Sequence, residues 1–117
     1  MLERLLGLLG GGGGAAVDVR TVHEQLAHRP CPVLVDVRTP FEYQAGHAAG
    51  ALNVPLVEVT RRLPDLVEGR ACPVYLICQT GARSGTAQSA LAKMGIETIN
   101  VTGGMRAWRA AGLPLEP

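Results

Sequence analysis

The stretch VYLICQTGARSGTAQSALAKMG, from Val74 to Gly95, decides the fold of this chain. Its first four residues are all apolar and predict a strand buried on both faces of a sheet. Cys78 follows at once, and a short turn around Gly81 leads directly into a helix. The apolar face of that helix is formed by Ala87, Ala90, Leu91 and Met94, before Gly95 ends it. The stretch therefore predicts a strand, turn and helix with a cysteine at the turn.

The segments before this stretch alternate between helix and strand patterns. The run TVHE, residues 21–24, is a capping box with Thr21 as the N-cap, and it predicts a helix that ends at Arg29 and Pro30. Residues 33–37, VLVDV, predict a second strand that is buried on both faces. The run TPFE, residues 39–42, is another capping box, with proline at the first helical position. It starts a short helix that stops near residue 46.

The remaining segments continue the alternation. Residues 53–55 predict a short extended piece, and residues 97–101 predict a last strand. Helical faces are formed by Leu56, Val59 and Leu63 before Pro64, and by Met105 and Trp108 before Gly112. Strands separated by helices predict parallel pairing with right-handed crossovers, and so a three-layer α/β domain.

Composition excludes several classes of function. The chain has 117 residues, of which 47% are apolar, so it fits one domain with one sizeable core. Its 11 basic and 10 acidic residues are scattered and give a net charge of +1, and aromatic residues make up only 3%. The sequence therefore does not predict a surface that binds nucleic acid or membrane lipids. Three cysteines do not form an even-numbered disulfide framework, and we expect free thiols and a cytoplasmic location.

The amino-terminal segment is expected to stand apart from the domain. Its apolar run is broken by glycine and is far shorter than the roughly 20 residues of a membrane span. Small residues at 14–16 would suit a secretory cleavage site, but Glu3 cancels Arg4, and the basic start of a signal peptide is missing. We therefore expect residues 1–16 to be a flexible, glycine-rich tail and residues 17–117 to be the folded domain.

Cys78 lies where an open α/β sheet forms its binding sites, at the carboxyl end of a strand. The turn that follows, residues 79–83, can aim several backbone N–H groups at the sulfur. These groups and the helix dipole favour a thiolate, and Arg83 adds a positive charge at the rim. We expect Cys78 to be a catalytic nucleophile, rather than a small apolar residue that ends a strand.

The size of the turn separates two kinds of chemistry. A protein tyrosine phosphatase loop is similar, but its arginine comes six positions after the cysteine, and that loop encloses a whole phosphate. Here Arg83 comes five positions after Cys78, and Ser84 occupies the sixth position. The tighter ring favours one extra sulfur atom on the cysteine, which is persulfide chemistry. A phosphatase or arsenate reductase of the same fold is the less favoured alternative.

The chain resembles the rhodanese family of sulfurtransferases. The resemblance runs from about Val17 to Pro114 and is carried by LVDVRTPFEYQAGHAAGALNVP (34–55), YLICQTGARS (75–84) and VTGGMRAWRAAGLP (101–114). It implies a five-stranded parallel sheet between helices and a persulfide on Cys78. The substrate-binding loop is then formed by Gln79, Thr80, Gly81, Ala82, Arg83 and Ser84.

The activity implied by the resemblance is a ping-pong transfer of sulfur. Cys78 takes a sulfur from thiosulfate or a persulfide donor and passes it to cyanide or a cellular thiol, without a metal or organic cofactor. Family members that use thiosulfate well carry extra basic residues in the loop, whereas Gln79, Thr80 and Ala82 are neutral. A sulfur-carrier module, which relays persulfide sulfur from a protein donor to a biosynthetic partner, is therefore the alternative.

Other polar residues are weaker candidates for the site. Arg38 could attract an anionic donor, but we favour a partly buried network of Asp36, Arg38 and Glu42 that fixes the loops. His47 could act as a base, but a structural role is favoured, since an ionised thiol needs no base. Gly103 and Gly104 are expected to let the chain pass close to the catalytic loop.

Cys31 and Cys72 each precede a proline and a valine, at the starts of the two buried strands. They are therefore expected at the edge of the sheet opposite Cys78. Six strand steps, roughly 20 Å, separate Cys72 from Cys78, too far for a disulfide. Cys31 and Cys72 are interpreted as inert thiols, with a bridge between them as the alternative.

Overall fold

The main feature of the fold is a five-stranded parallel sheet. The structure, a computed structural model, describes residues 14–28 and 32–117. The strands of this sheet, in spatial order, are β1 (Ala16–Val17), β6 (Ile99–Val101), β5 (Val74–Ile77), β2 (Val33–Asp36) and β4 (Leu52–Asn53). The helices are α1 (Val19–His28), α2 (Pro40–Gln44), α3 (Val59–Val67), α4 (Ala82–Ala92) and α5 (Gly104–Ala110). The predicted α/β class and the five parallel strands are confirmed.

Alternating side chains of the central strands divide the core into two layers. On one face, Val33, Val35, Val74 and Leu76 pack with α3 and α4, through residues such as Leu63 and Leu91. On the other face, Leu34, Tyr75 and Ile77 pack with α1 and α5, through Val22, Met105 and Trp108. Because helices cover both faces, β5 is apolar at all four positions and β2 is apolar at its first three, before Asp36. This explains the continuous apolar runs in the sequence.

Several predicted helix boundaries are confirmed and others are wrong. Thr39 caps α2, and the reciprocal hydrogen bonds with Glu42 form the predicted capping box. The other predicted box is wrong, because Asp18 Oδ1 accepts the Thr21 N–H at 2.8 Å, and α1 begins at Val19. Asp18 lies one turn earlier and satisfies the free N–H groups, so Thr21 falls inside the helix.

The helices on the α3 and α4 face also differ in detail from the sequence pattern. Helix α3 continues through Pro64, because Leu63 is fully buried and Val67 packs on the same core beyond the proline. Helix α4 ends at Ala92, and Met94 is 49% exposed rather than part of the apolar face. Gly95 has a φ of +79°, which marks the stop that the sequence predicts.

A second, two-stranded sheet was not predicted. Strand β3 (His47–Ala48) pairs antiparallel with β7 (Leu115–Glu116), close to the carboxyl terminus. The strand predicted over 97–101 is also shorter, since β6 starts at Ile99. Strands of two residues carry no periodic pattern, so the sequence gives no signal for them.

The amino-terminal boundary is only partly described. Strand β1 pairs with β6, and Gln88 Nε2 donates to the Ala15 carbonyl at 2.8 Å. The expected division of the chain at residue 16 stays a prediction, since residues 1–13 lie outside the described part. Within the described part, no helix is long and apolar enough to cross a membrane.

Cys72 lies just before β5, at the amino end of the sheet. Cys78 is a free thiol, whereas Cys72 is disulfide-bonded. The expectation of an inert thiol at Cys72 is therefore wrong. Val33 is paired with Val74, and its N–H donates to the Pro73 carbonyl at 3.0 Å, so β2 and β5 begin side by side. Cys31 lies outside the described residues, and its pairing with Cys72 stays a hypothesis.

Candidate active site

Cys78 follows β5 directly, and its side chain is buried beneath the turn that leads into α4. The Gly81 N–H donates to the Cys78 sulfur at 3.1 Å, and the Ser84 N–H does so at 3.4 Å. Gly81 has a φ of +108°, which L side chains rarely adopt, and it is the N-cap of α4. The glycine thus lets the turn fold back so that backbone donors converge on one sulfur atom.

The pKa of the Cys78 thiol is lowered by this environment. Burial acts in the opposite direction, since it penalises the charged form and raises the pKa. Hydrogen bonds from the Ser84 hydroxyl and from backbone N–H groups of the turn, including those of Gly81 and Thr80, outweigh burial. The turn therefore favours the thiolate, which is the nucleophilic form of cysteine.

Helix α5 holds the turn from below. The N–H of Met105 donates to the Cys78 carbonyl at 2.7 Å, and that of Arg106 donates to the Gln79 carbonyl at 3.1 Å. A Cβ atom at Gly104 would collide with the Cys78 carbonyl oxygen, and Gly104 has a φ of +56°. The predicted close passage of the glycine pair is confirmed. Helix α5 thus binds the carbonyl groups at the start of the turn, while the N–H groups of Gly81 and Ser84 point toward the sulfur.

Arg83 does not stand free at the rim of the turn. Its guanidinium donates to both carboxylate oxygens of Glu42, at 2.7 and 3.0 Å. The Arg83 contact lowers the pKa of Glu42 to about 2, and the capping-box bonds of Thr39 add to this effect. The positive charge expected at the rim is therefore neutralised by a carboxylate on α2.

Asp36 and Arg38 form a separate buried pair at the end of β2. Arg38 donates to both carboxylate oxygens of Asp36 at 2.8–3.0 Å and to the Gly46 carbonyl at 2.8 Å. The Arg38 side chain is 3% exposed. The predicted network of three residues is confirmed only for Asp36 and Arg38, and the inclusion of Glu42 is wrong, because the Glu42 carboxylate binds Arg83. The hydrogen bonds of Arg38 therefore hold the loop after β2 in place.

His47 lies in β3, among structural contacts. Its Nδ1 is 2.9 Å from the Tyr43 carbonyl, so this nitrogen carries the proton and donates. The ring stacks on that of Tyr43 with 3.6 Å between centroids, and Nε2 lies 3.7 Å from the Glu116 carboxylate. These contacts link α2 to the carboxyl-terminal strand β7, and they support the structural interpretation of His47.

Asn100 is a neighbour of the turn that sequence reasoning missed. Its Oδ1 accepts the Ser84 hydroxyl at 2.6 Å, and its Nδ2 donates to the Gly81 carbonyl at 3.1 Å. Asn100 lies in β6, opposite Leu76 of β5, so the sheet brings it against the turn that follows Cys78. A polar residue inside the strand INV was the available signal.

The described residues contain no group of three or more His, Cys, Asp or Glu side chains that could hold a metal ion. The features that converge on Cys78 are hydrogen-bond donors. The site is thus built to hold a negatively charged sulfur, with Glu42 and Arg83 at its rim.

The family model for the rhodanese-like domain matches residues 18–111 of this chain. The chain belongs to the rhodanese-like family. Among its relatives, the thiosulfate sulfurtransferase PspE from Escherichia coli is 38% identical over 72 residues, covering 62% of this chain and 69% of PspE. A sulfurtransferase from Allochromatium vinosum is 33% identical over 100 residues, covering 85% of this chain and 92% of that protein.

Rhodanese-like proteins of known structure share the architecture. The crystal structure of a rhodanese-related protein from Thermoplasma volcanium aligns with a TM-score of 0.75 at 26% identity, covering 87% of this chain and 97% of that one. Other curated relatives are longer than this chain. It spans 59% of YqhL from Bacillus subtilis, to which it is 42% identical over 76 residues, and 50% of slr1261 from Synechocystis.

Proposed function

We propose that this protein is a sulfurtransferase in which the Cys78 thiolate accepts a sulfur atom and passes it to a second nucleophile. The observation that carries the proposal is the convergence of the Gly81 and Ser84 N–H groups on the Cys78 sulfur. The lowered pKa of Cys78 and the names of the relatives from E. coli and A. vinosum support it. The donor is thiosulfate or a persulfide, and the acceptor is cyanide in an assay or a thiol.

The two half-reactions balance without external electrons. The Cys78 thiolate attacks the outer sulfur of thiosulfate, an S–S bond forms, and sulfite leaves with the electron pair of the broken S–S bond. With a persulfide donor, the leaving group is a thiolate. The acceptor then attacks the terminal sulfur, takes it, and returns Cys78 to the thiolate. The N–H groups of the turn would stabilise the negative sulfur at each stage.

The charges around the turn favour a persulfide over thiosulfate as the donor. Thiosulfate carries two negative charges, and the positive charge of Arg83 is neutralised by Glu42. Gln79, Thr80 and Ala82 add no charge. This observation favours the second candidate, a sulfur carrier that takes persulfide sulfur from a protein donor and relays it to a partner protein.

Steady-state transfer to cyanide, followed as thiocyanate, tests the proposal. Thiosulfate and a small-molecule persulfide are compared as donors at equal concentration, with Cys78→Ser as the matched control. We expect transfer from at least one donor, a higher kcat/KM for the persulfide, and loss of at least about 1,000-fold in the control. Phosphate-ester hydrolysis that depends on Cys78, without sulfur transfer, would favour the phosphatase alternative and contradict the proposal.

A cytoplasmic location is a separate part of the proposal. The cysteine count supports it, and the disulfide at Cys72 opposes it, because cytosolic disulfides are rare. Alkylation of thiols at the moment of cell lysis, followed by peptide mapping, shows whether Cys72 is a thiol or part of a disulfide in the cell. Alkylated Cys72 would support a reducing compartment, and Cys72 recovered in a disulfide would contradict it.

A further inference from the structure

The hydroxyl of Ser84 has one proton and three neighbours that could accept it. Its Oγ lies 2.6 Å from Asn100 Oδ1, 3.2 Å from the Gly81 carbonyl and 3.3 Å from the Cys78 sulfur. A hydroxyl can donate to only one of them at a time. The shortest contact is to Asn100, so while Cys78 is a protonated thiol the Ser84 proton points to Asn100 rather than to the sulfur.

The amide of Asn100 is held in one orientation. Its Nδ2 donates to the Gly81 carbonyl at 3.1 Å, and a flipped amide would set two oxygen atoms against each other there. The backbone of Asn100 is fixed in β6, where its N–H donates to the Ala15 carbonyl at 2.9 Å. Asn100 Oδ1 therefore faces Ser84 and can only accept.

The two protonation states of Cys78 need opposite orientations of this hydroxyl. A Cys78 thiol can donate to Ser84 Oγ while Ser84 donates to Asn100, which completes a chain of hydrogen bonds. A Cys78 thiolate can only accept, so the Ser84 hydroxyl must rotate toward it and leave Asn100 Oδ1 without its donor. The thiol proton itself goes to solvent. Asn100 thus favours the thiol, and Ser84 favours the thiolate.

We propose that Asn100 is a positioning residue that restrains the Ser84 hydroxyl, so that the two residues together set how readily Cys78 ionises. This role of Asn100 goes beyond the proposed sulfur transfer. It depends on that proposal only in one respect, namely that the ionisation of Cys78 matters for turnover. Alkylation of Cys78 needs no sulfur donor, so it tests the inference even where transfer is absent.

Other charged groups near Cys78 stay the same in the variants that test this. Arg83 of α4 interacts with the Cys78 charge and is paired with Glu42 of α2. The end of β2 contributes the Asp36 and Arg38 pair. Arg106 of α5 is exposed, and its N–H is bound to the Gln79 carbonyl. From β6, the group that reaches the turn is the uncharged amide of Asn100.

The test is the pH dependence of Cys78 alkylation by iodoacetamide, read at the Cys78 peptide by mass spectrometry. In Asn100→Leu the Ser84 hydroxyl is released to the sulfur, and we expect the apparent pKa of Cys78 to fall by about one pH unit, the size of one hydrogen bond. In Ser84→Ala it should rise by about as much. In the double variant, the pKa should equal that of Ser84→Ala.

The double variant separates positioning from packing. A shift by Asn100→Leu that persists in the Ser84→Ala background would overturn the inference, and so would an unchanged or raised pKa in Asn100→Leu alone. If the leucine variant does not fold, Asn100→Ala replaces it, because the alanine side chain has no atom that can accept the Ser84 proton. The same fall in pKa is then expected, and its absence would have the same consequence.

Discussion

Two neighbouring strands of the sheet end side by side and carry buried ionisable groups of different kinds. At the end of β2, Asp36 and Arg38 bind each other through three hydrogen bonds between their side chains. At the end of β5, Cys78 faces N–H donors of Gly81 and Ser84, and no oppositely charged side chain of the described residues is in direct contact with it. Burial and the capacity to carry a charge therefore do not by themselves distinguish Cys78, the proposed nucleophile, from Asp36 and Arg38. What distinguishes Cys78 is that backbone N–H donors converge on its sulfur without bringing a counter-charge that would neutralise it.

The largest effect on stability is expected at the paired strand end. Asp36→Asn leaves the buried guanidinium of Arg38 without its counter-charge, and the free energy of unfolding should fall by about 3–5 kcal/mol. Urea denaturation measures the fall. The double variant Asp36→Asn, Arg38→Gln should recover part of the loss, because it leaves no uncompensated charge. Equal loss in the single and double variants would show that the pairing of charges is not what matters there.

A smaller but still large effect is expected at Gly104, which packs against the backbone of Cys78. Gly104→Ala adds a Cβ that collides with the Cys78 carbonyl, at a φ of +56°, and should cost about 2–5 kcal/mol. Gly112→Ala is the matched control, because its φ is +69° and an added Cβ would contact nothing within 4 Å. It should cost about 1–2 kcal/mol. Thermal unfolding of both variants compares them, and equal losses would contradict a specific contact with the turn.

The smallest effect is expected at the rim, where Glu42→Gln releases Arg83. Both side chains are about one third exposed, so the free energy of unfolding should fall by no more than about 1 kcal/mol. The released charge should lower the KM for thiosulfate by about threefold to fivefold. Glu58→Gln, which breaks the surface ion pairs with Arg61 and Arg62, is the control and should leave KM unchanged.

The same pair gives the stability a defined dependence on pH. The folded-state pKa of Glu42 is lowered from 4.5 to about 2, so its stabilising effect is complete above pH 4.5 and is lost as the pH falls toward 2. The difference in stability between wild type and Glu42→Gln should shrink over that interval. Denaturation at several pH values measures it, and a constant difference would contradict the role of the carboxylate charge.

The sequence predicts features that depend on neighbouring residues in the chain. The buried strands, the capping box at Thr39 and the turn after Cys78 follow from local patterns, and the structure has all three. Features that depend on distant residues were missed. Glu42 and Arg83 are 41 positions apart, and Ser84 meets Asn100 only because β6 pairs with β5. The neutralised charge at the rim and the restraint on Ser84 could therefore be recognised only from the three-dimensional structure.

The intact mass of the protein before and after incubation with a sulfur donor tests the central claim most directly. Wild type and Cys78→Ser are each treated with thiosulfate or a small-molecule persulfide, and then with cyanide. We expect a gain of about 32 Da, one sulfur atom, that requires Cys78 and disappears with cyanide. No gain from either donor, or a gain that persists in Cys78→Ser, would contradict sulfur transfer through Cys78.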